Sequence, residues 1–190
     1  MRTLIFSVLL FIGSNAHALG DLKSIFDALK DKPVNYEPTG QICEQVARLK
    51  YAEVYDPSQF DLNVGVEYKV SGTTIGELDL VITNKSNHQV ALVGEVKCWR
   101  NVQGALNKAH KQRARFISTL QSQGNRIVFL AKEGAPFKAA QFVNPKYVAI
   151  STLGTVSSGF DTEIEYSLDE MLQLRESLMR CQAEGKCPTE

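Results

Sequence analysis

Apolar and polar positions alternate along much of the middle of the chain and follow helical spacing on either side of it. Gly76-Glu77-Leu78-Asp79-Leu80-Val81-Ile82 and Val90-Ala91-Leu92-Val93-Gly94-Glu95-Val96-Lys97 read as two strands, each apolar apart from charges two residues apart on one face. The segment between them, Thr83 to Gln89, is rich in turn formers, so an antiparallel hairpin is expected. Val64 to Val70 predicts a strand before that hairpin, and Arg126 to Ala131 and Tyr147 to Ser151 predict two buried strands after it.

Helical spacing predicts four helices around these strands. Asp21 to Leu29 reads as a short amphipathic helix. Gln41 to Tyr51 carries one stripe of Cys43, Ala47, Tyr51 and Val54 and a second of Ile42, Val46 and Leu49, with Glu44 on the border of the first. Ala105 to Leu120 places Ala105, Ala109, Gln112, Phe116 and Leu120 on one stripe, which puts the Gln112 amide among apolar side chains. Ser167-Leu168-Asp169-Glu170 is a capping box opening a helix whose Met171, Leu174, Leu178 and Cys181 share a face, with Gly185 at its exit. The order helix, helix, three strands, helix, strand, strand, helix predicts one α/β domain with a mixed sheet flanked by helices.

The charges inside the hairpin give the chain its chemistry. An unpaired charge in an apolar strand is costly to bury, so something must offset Asp79, Glu95 and Lys97. Carboxylate oxygens suit a hard divalent cation, magnesium or manganese, which can position and activate a water against a phosphodiester. Lys97 beside that metal would stabilise developing negative charge or orient the water. No Ser or Cys stands with a convincing base, and the bland alternative is a pair of solvated strands with cross-strand ion pairs.

Gly-Glu-Leu-Asp-Leu at 76–80 followed by Glu-Val-Lys at 95–97 resembles the PD-(D/E)XK nuclease superfamily, and most of all its Holliday-junction-resolvase-like, restriction-endonuclease-like branch. The resemblance covers roughly residues 41 to 120, with Leu78 where the superfamily's name has proline. It implies a restriction-endonuclease-like core and catalytic roles for Asp79, Glu95 and Lys97. Glu44 matches the family's metal-proximal Glu on the first helix, so Glu44, Asp79 and Glu95 are the implied ligands of Mg2+ or Mn2+. Gln112, with the aromatic Phe116 four residues on, is similar to a Gln that packs beside the site in several branches. Lys108, Lys111 and Arg115 flank that stripe as a track for phosphates, and a solvated basic face is an equal reading of them. His110 reads as a surface residue.

Compartment and composition change this picture. Met1-Arg2, the apolar run Leu4 to Gly13 and Ala16-His17-Ala18 form a signal-peptide pattern, with the mature domain expected over residues 19–190. The apolar run is shorter than the ~20 residues of a bilayer span, so no membrane span is expected after cleavage, and no Cys follows it for lipidation. The protein is therefore expected in a periplasm or outside the cell. Formal net charge is +0, so affinity for nucleic acid must come from a local, salt-sensitive patch.

Four cysteines in an exported chain point to disulfides, and they allow three connectivities. Pairing Cys181 with Cys187 closes a short loop and leaves Cys43 with Cys98, a bond that would clamp Glu44 against Lys97. Strand alternation, however, sends Cys98 away from the face of Lys97. No paired CxxC spacing favours zinc. The expected function is an exported, metal-dependent DNA endonuclease. The alternatives are an RNA-cleaving toxin or effector using the same site, and a non-catalytic nucleic-acid-binding module. Resolvase relatives act as dimers, which makes a homodimer one form the resemblance allows.

Overall fold

The computed structural model describes residues 15–131 and 136–190, the side chains of 15–21 aside. The signal-segment reading falls largely on residues 1–14, outside the described residues. Four helices, α1 (Asn15–Leu29), α2 (Thr39–Ala52), α3 (Val102–Gln123) and α4 (Leu168–Ala183), surround six strands. These are β1 (Phe60–Val70), β2 (Thr73–Asn84), β3 (Val90–Val96), β4 (Ile127–Leu130), β5 (Lys146–Ser151) and β6 (Thr162–Glu163). They form one mixed sheet in the order β4-β1-β2-β3-β5-β6. The hairpin expected from the Thr83–Gln89 turn is present, with β2 antiparallel to β3 from Leu80↔Gly94 to Thr83↔Val90. β5 then lies parallel to β3, an arrangement reached through α3 and β4.

The central strand explains why its sequence is nearly all apolar. Leu92 and Val96 of β3 pack with α1, α2 and α4, while Val90 and Val93 pack in a second core on the side of α3. A strand covered on both faces reads as a continuous apolar run. Gly94 is required there, because a Cβ would stand 3.0 Å from Ile150 Cδ1 and 3.3 Å from Leu80 Cβ. The α3-side core is aromatic: the Phe116 ring lies 5.1 Å from Tyr68 and 5.2 Å from Phe142, both edge to face. Gln112 is half-buried on the stripe that carries Phe116.

Three local signals play out in detail. Ser167 accepts from the Glu170 amide, and the Glu170 side chain accepts from Ser167 N, so the capping box starts α4. Gly185 takes φ 68 just beyond its end. Val54 departs from the expected stripe of α2: the helix stops at Ala52, and Val54 is 76% exposed. Among the described residues no helix is long and apolar enough to cross a membrane.

Candidate functional site

The site forms where β2 and β3 part. Their backbone pairing ends at Leu80↔Gly94, so Asp79 and Glu95 face the notch beyond the last pair. The Val96 amide, freed from ladder pairing with β2, donates to Asp79 Oδ2 at 2.7 Å. Lys97 Nζ donates to Asp79 Oδ2, to the Val96 carbonyl at 3.1 Å and to Glu95 Oε2 at 3.5 Å. The backbone of Lys97 is fixed from both sides: its amide donates to Ile150 O at 2.9 Å, and Ser151 Oγ donates to its carbonyl at 2.6 Å. Ser151 is thus a positioning residue that no sequence motif announces.

Strand β2 changes which core it serves at Asp79. Leu78 packs with Val66, Tyr68 and Phe116, whereas Leu80 packs in the core under α1, α2 and α4. On the neighbouring strand, Val66 pairs with Leu78 and Val64 with Leu80, and Gly65 between them takes φ 69. Glycine, with no Cβ, takes that left-handed conformation at least cost. The alternation rule sends Leu78 and Leu80 to one side, and this local rotation separates them. It also brings Glu77 round to the Gly65 backbone, where a Cβ would lie 3.2 Å from Glu77 Oε1.

One result is a carboxylate cluster. Oxygens of Glu44, Glu77 and Asp79 lie within 4.8 Å of one another. Glu44 reaches it from α2, with Gln41 Nε2 donating to its Oε2 at 3.0 Å. Glu77 therefore joins the set in addition to the residues expected from sequence, and its signal was the Glu-x-Asp spacing. Glu95 stands outside this trio and instead borders Lys97, with its Oε1 buried and lacking a partner.

Charge balance decides what such a site can hold. Glu44, Asp79, Glu95 and Lys97 are all buried, Glu77 is half-buried, and one ammonium faces four carboxylates. Two like charges 4 Å apart cost about 4 kcal/mol at an effective dielectric near 20, so the metal-free site relieves itself by taking up protons. Burial raises the Asp79 pKa despite the Lys97 charge beside it. Burial, reinforced by the Asp79 charge, pushes Glu95 up to about 8, with Lys97 and Arg115 opposing. Burial works against the Lys97 ammonium, but the charges of Asp79 and Glu95 outweigh it and raise its pKa. An all-oxygen donor set with an unpartnered buried carboxylate oxygen fits a hard divalent cation.

A stability signature follows. Glu95 binds its proton more tightly in the folded, metal-free protein (about 8 against a reference of 4.5), so between those values the unfolded state holds fewer protons and folding stability falls as pH rises. Denaturation in EDTA at pH 5, 6.5 and 8 is expected to show a loss on the order of 3–5 kcal/mol. Glu95→Gln should flatten that slope and be the more stable protein at pH 8. Parallel pH profiles for the two proteins would contradict this account of the site.

The other expected site residues divide. Arg115 is an exposed residue, yet it hydrogen-bonds Tyr68 and its charge acts on Glu95. Gln112, three residues earlier on α3, has its Oε1 buried and unpartnered. Lys108 and Lys111 are exposed and make no contact with the site among the described residues. His110 is likewise exposed.

Both disulfides join the pairs weighed from the sequence. Cys43 on α2 is bonded to Cys98 across a Cα–Cα distance of 6.4 Å, and Cys181 to Cys187 across 5.3 Å. The objection from alternation does not apply, because β3 ends at Val96 and Cys98 turns into the core that holds Cys43. Residues 44 and 97 of the site are thus each next to one end of a single covalent bond. No family model, curated protein or solved structure matches this chain.

Proposed function

We propose that this chain is an exported, metal-dependent nuclease with a restriction-endonuclease-like core, acting as an endonuclease on DNA. The observation that carries the reading is the buried notch between β2 and β3, where Asp79, Glu95 and Lys97 meet beside the Glu44–Glu77–Asp79 cluster. Two disulfides fit an oxidising compartment, which supports export.

Glu44, Glu77 and Asp79 would hold Mg2+ or Mn2+, with Glu95 giving up its proton to complete the set. The bound ion supplies Lewis acidity toward a phosphoryl oxygen and lowers the pKa of a water. Lys97, kept cationic by its carboxylate neighbours and fixed through Ile150 and Ser151, orients that water and balances charge growing on the phosphoryl group. The water oxygen forms a bond to phosphorus as the bond from phosphorus to the leaving sugar oxygen breaks. The water's proton passes to a site carboxylate, and the leaving oxygen takes one from solvent. Arg115 and the Gln112 amide would orient the strand from α3, with Lys108 and Lys111 as outlying phosphate contacts.

A substrate panel tests the choice of nucleic acid. With magnesium present, the protein should cut duplex and single-stranded DNA faster than total RNA. Cleavage of RNA alone would reassign it to the toxin or effector reading. Calorimetric titration with manganese should show binding that depends on Asp79; absence of both binding and cleavage would leave a non-catalytic module.

A further inference from the structure

A cavity of about 240 Å3 opens between α2, β1 and the segment after α1, lined by Pro33, Val34, Gln41, Gln45, Val64 and Gly65 among others. It adjoins the carboxylates through two shared residues. Gln41 lines it and donates to Glu44 Oε2 at 3.0 Å, and Gly65 lines it where a Cβ would lie 3.2 Å from Glu77 Oε1. Its outer wall is braced, since Gln182 Nε2 donates to Val34 O at 2.7 Å and to Pro188 O at 2.8 Å. The Cys181–Cys187 bond ties the residue just before Pro188 back to the end of α4, which gives this second disulfide a local task.

One polar group in the cavity lacks what it needs. Gln45 is 6% exposed, lines the cavity, and its Oε1 is buried without a hydrogen-bond partner. A buried acceptor left unpaired is destabilising, and a ligand N–H would relieve it. The terminal torsion of a Gln side chain is soft, so the amide can turn toward an incoming donor. Pro33, Val34 and Val64 supply apolar contact for a flat ring. The volume lies below the ~300 Å3 at which drug-sized pockets begin, which suits a single ring system.

We propose that this cavity is a subsite for one unpaired nucleobase bearing an exocyclic amino group, seated beside the scissile phosphate. The inference rests on the nuclease reading for its substrate class. Gln45 Oε1 accepts from the amino group of adenine, cytosine or guanine, and thymine and uracil lack that group. A base reaches the cavity only when it is out of the stack, so single-stranded or bulged DNA is cut in preference to perfect duplex.

The test reads the cavity without catalysis. The full chain is titrated with deoxycytidine, deoxyadenosine or thymidine while the side-chain amide signal of Gln45 is followed by NMR. Expected is a shift of that signal, with roughly three- to ten-fold tighter binding of deoxycytidine and deoxyadenosine than of thymidine. Gln45→Leu should abolish the preference, and Gln45→Glu, which keeps an acceptor oxygen, should retain it. No response of the Gln45 amide to any nucleoside, or the same preference in Gln45→Leu, overturns the proposal even if the protein cuts DNA. A response without cleavage of any nucleic acid would retire the nuclease reading and leave a nucleoside site.

Discussion

Lys97→Met is expected to lower the rate of metal-dependent phosphodiester cleavage by on the order of 10²–10³-fold while tightening manganese binding. Both effects come from one atom. Nζ of Lys97 contacts Asp79 Oδ2 and stands 3.5 Å from Glu95 Oε2, so it competes with a cation for carboxylate charge and is also the group placed to meet the reacting phosphoryl. Methionine keeps most of the volume and removes the charge. The metal-free variant should lose about 3–5 kcal/mol of stability above pH 8, because carboxylates lose their buried counter-ion. Single-turnover kinetics and calorimetry on the same preparation separate the outcomes. Unchanged cleavage would remove Lys97 from the chemistry, and weakened manganese binding would mean that it organises the ligands instead.

Breaking the Cys43–Cys98 bond should have the next largest effect. The bond closes a separation of 55 residues, which corresponds to about 4 kcal/mol of denatured-state entropy, against about 2 kcal/mol for the separation of 6 between Cys181 and Cys187. Its position adds a local consequence, because it ties α2 and Glu44 to the end of β3 and Lys97. Cys43→Ala/Cys98→Ala is expected to bind manganese about 10–100-fold more weakly at a temperature where it remains folded, as when groups supporting metal ligands are removed. Cys181→Ala/Cys187→Ala should leave manganese binding unchanged. Reduction of the wild-type bond is expected to weaken manganese binding in the same way. Equal metal affinity in the two double variants would show that the clamp matters only for stability.

The elements and the core of the site were readable from local chemistry. Turn formers at Thr83–Gln89 and the Ser167 capping box each act within a few residues, and both appear as expected. Glu-x-Lys at the end of an apolar strand likewise pointed to the notch that holds Asp79, Glu95 and Lys97. What escaped depends on contacts distant in sequence. Glu77 shares a face with Asp79 by simple alternation, but its meeting with Glu44 depends on where α2 packs against the sheet, which no strand period expresses. Ser151 holds Lys97 only because β5 lies parallel to β3, a pairing no neighbouring residue specifies. β6 has two residues, too few to show any period. Gln45 carries no signal in the spacing of α2, and only its burial without a partner for Oε1 sets it apart.

These carboxylates and Lys97 are proposed to cut nucleic acid with a divalent cation. The most direct test incubates the oxidised protein with supercoiled plasmid in magnesium, in EDTA, and in magnesium with Asp79→Ala. Nicked and linear plasmid are expected in the first condition and intact plasmid in the other two. Cutting that persists in EDTA or in Asp79→Ala would contradict that role.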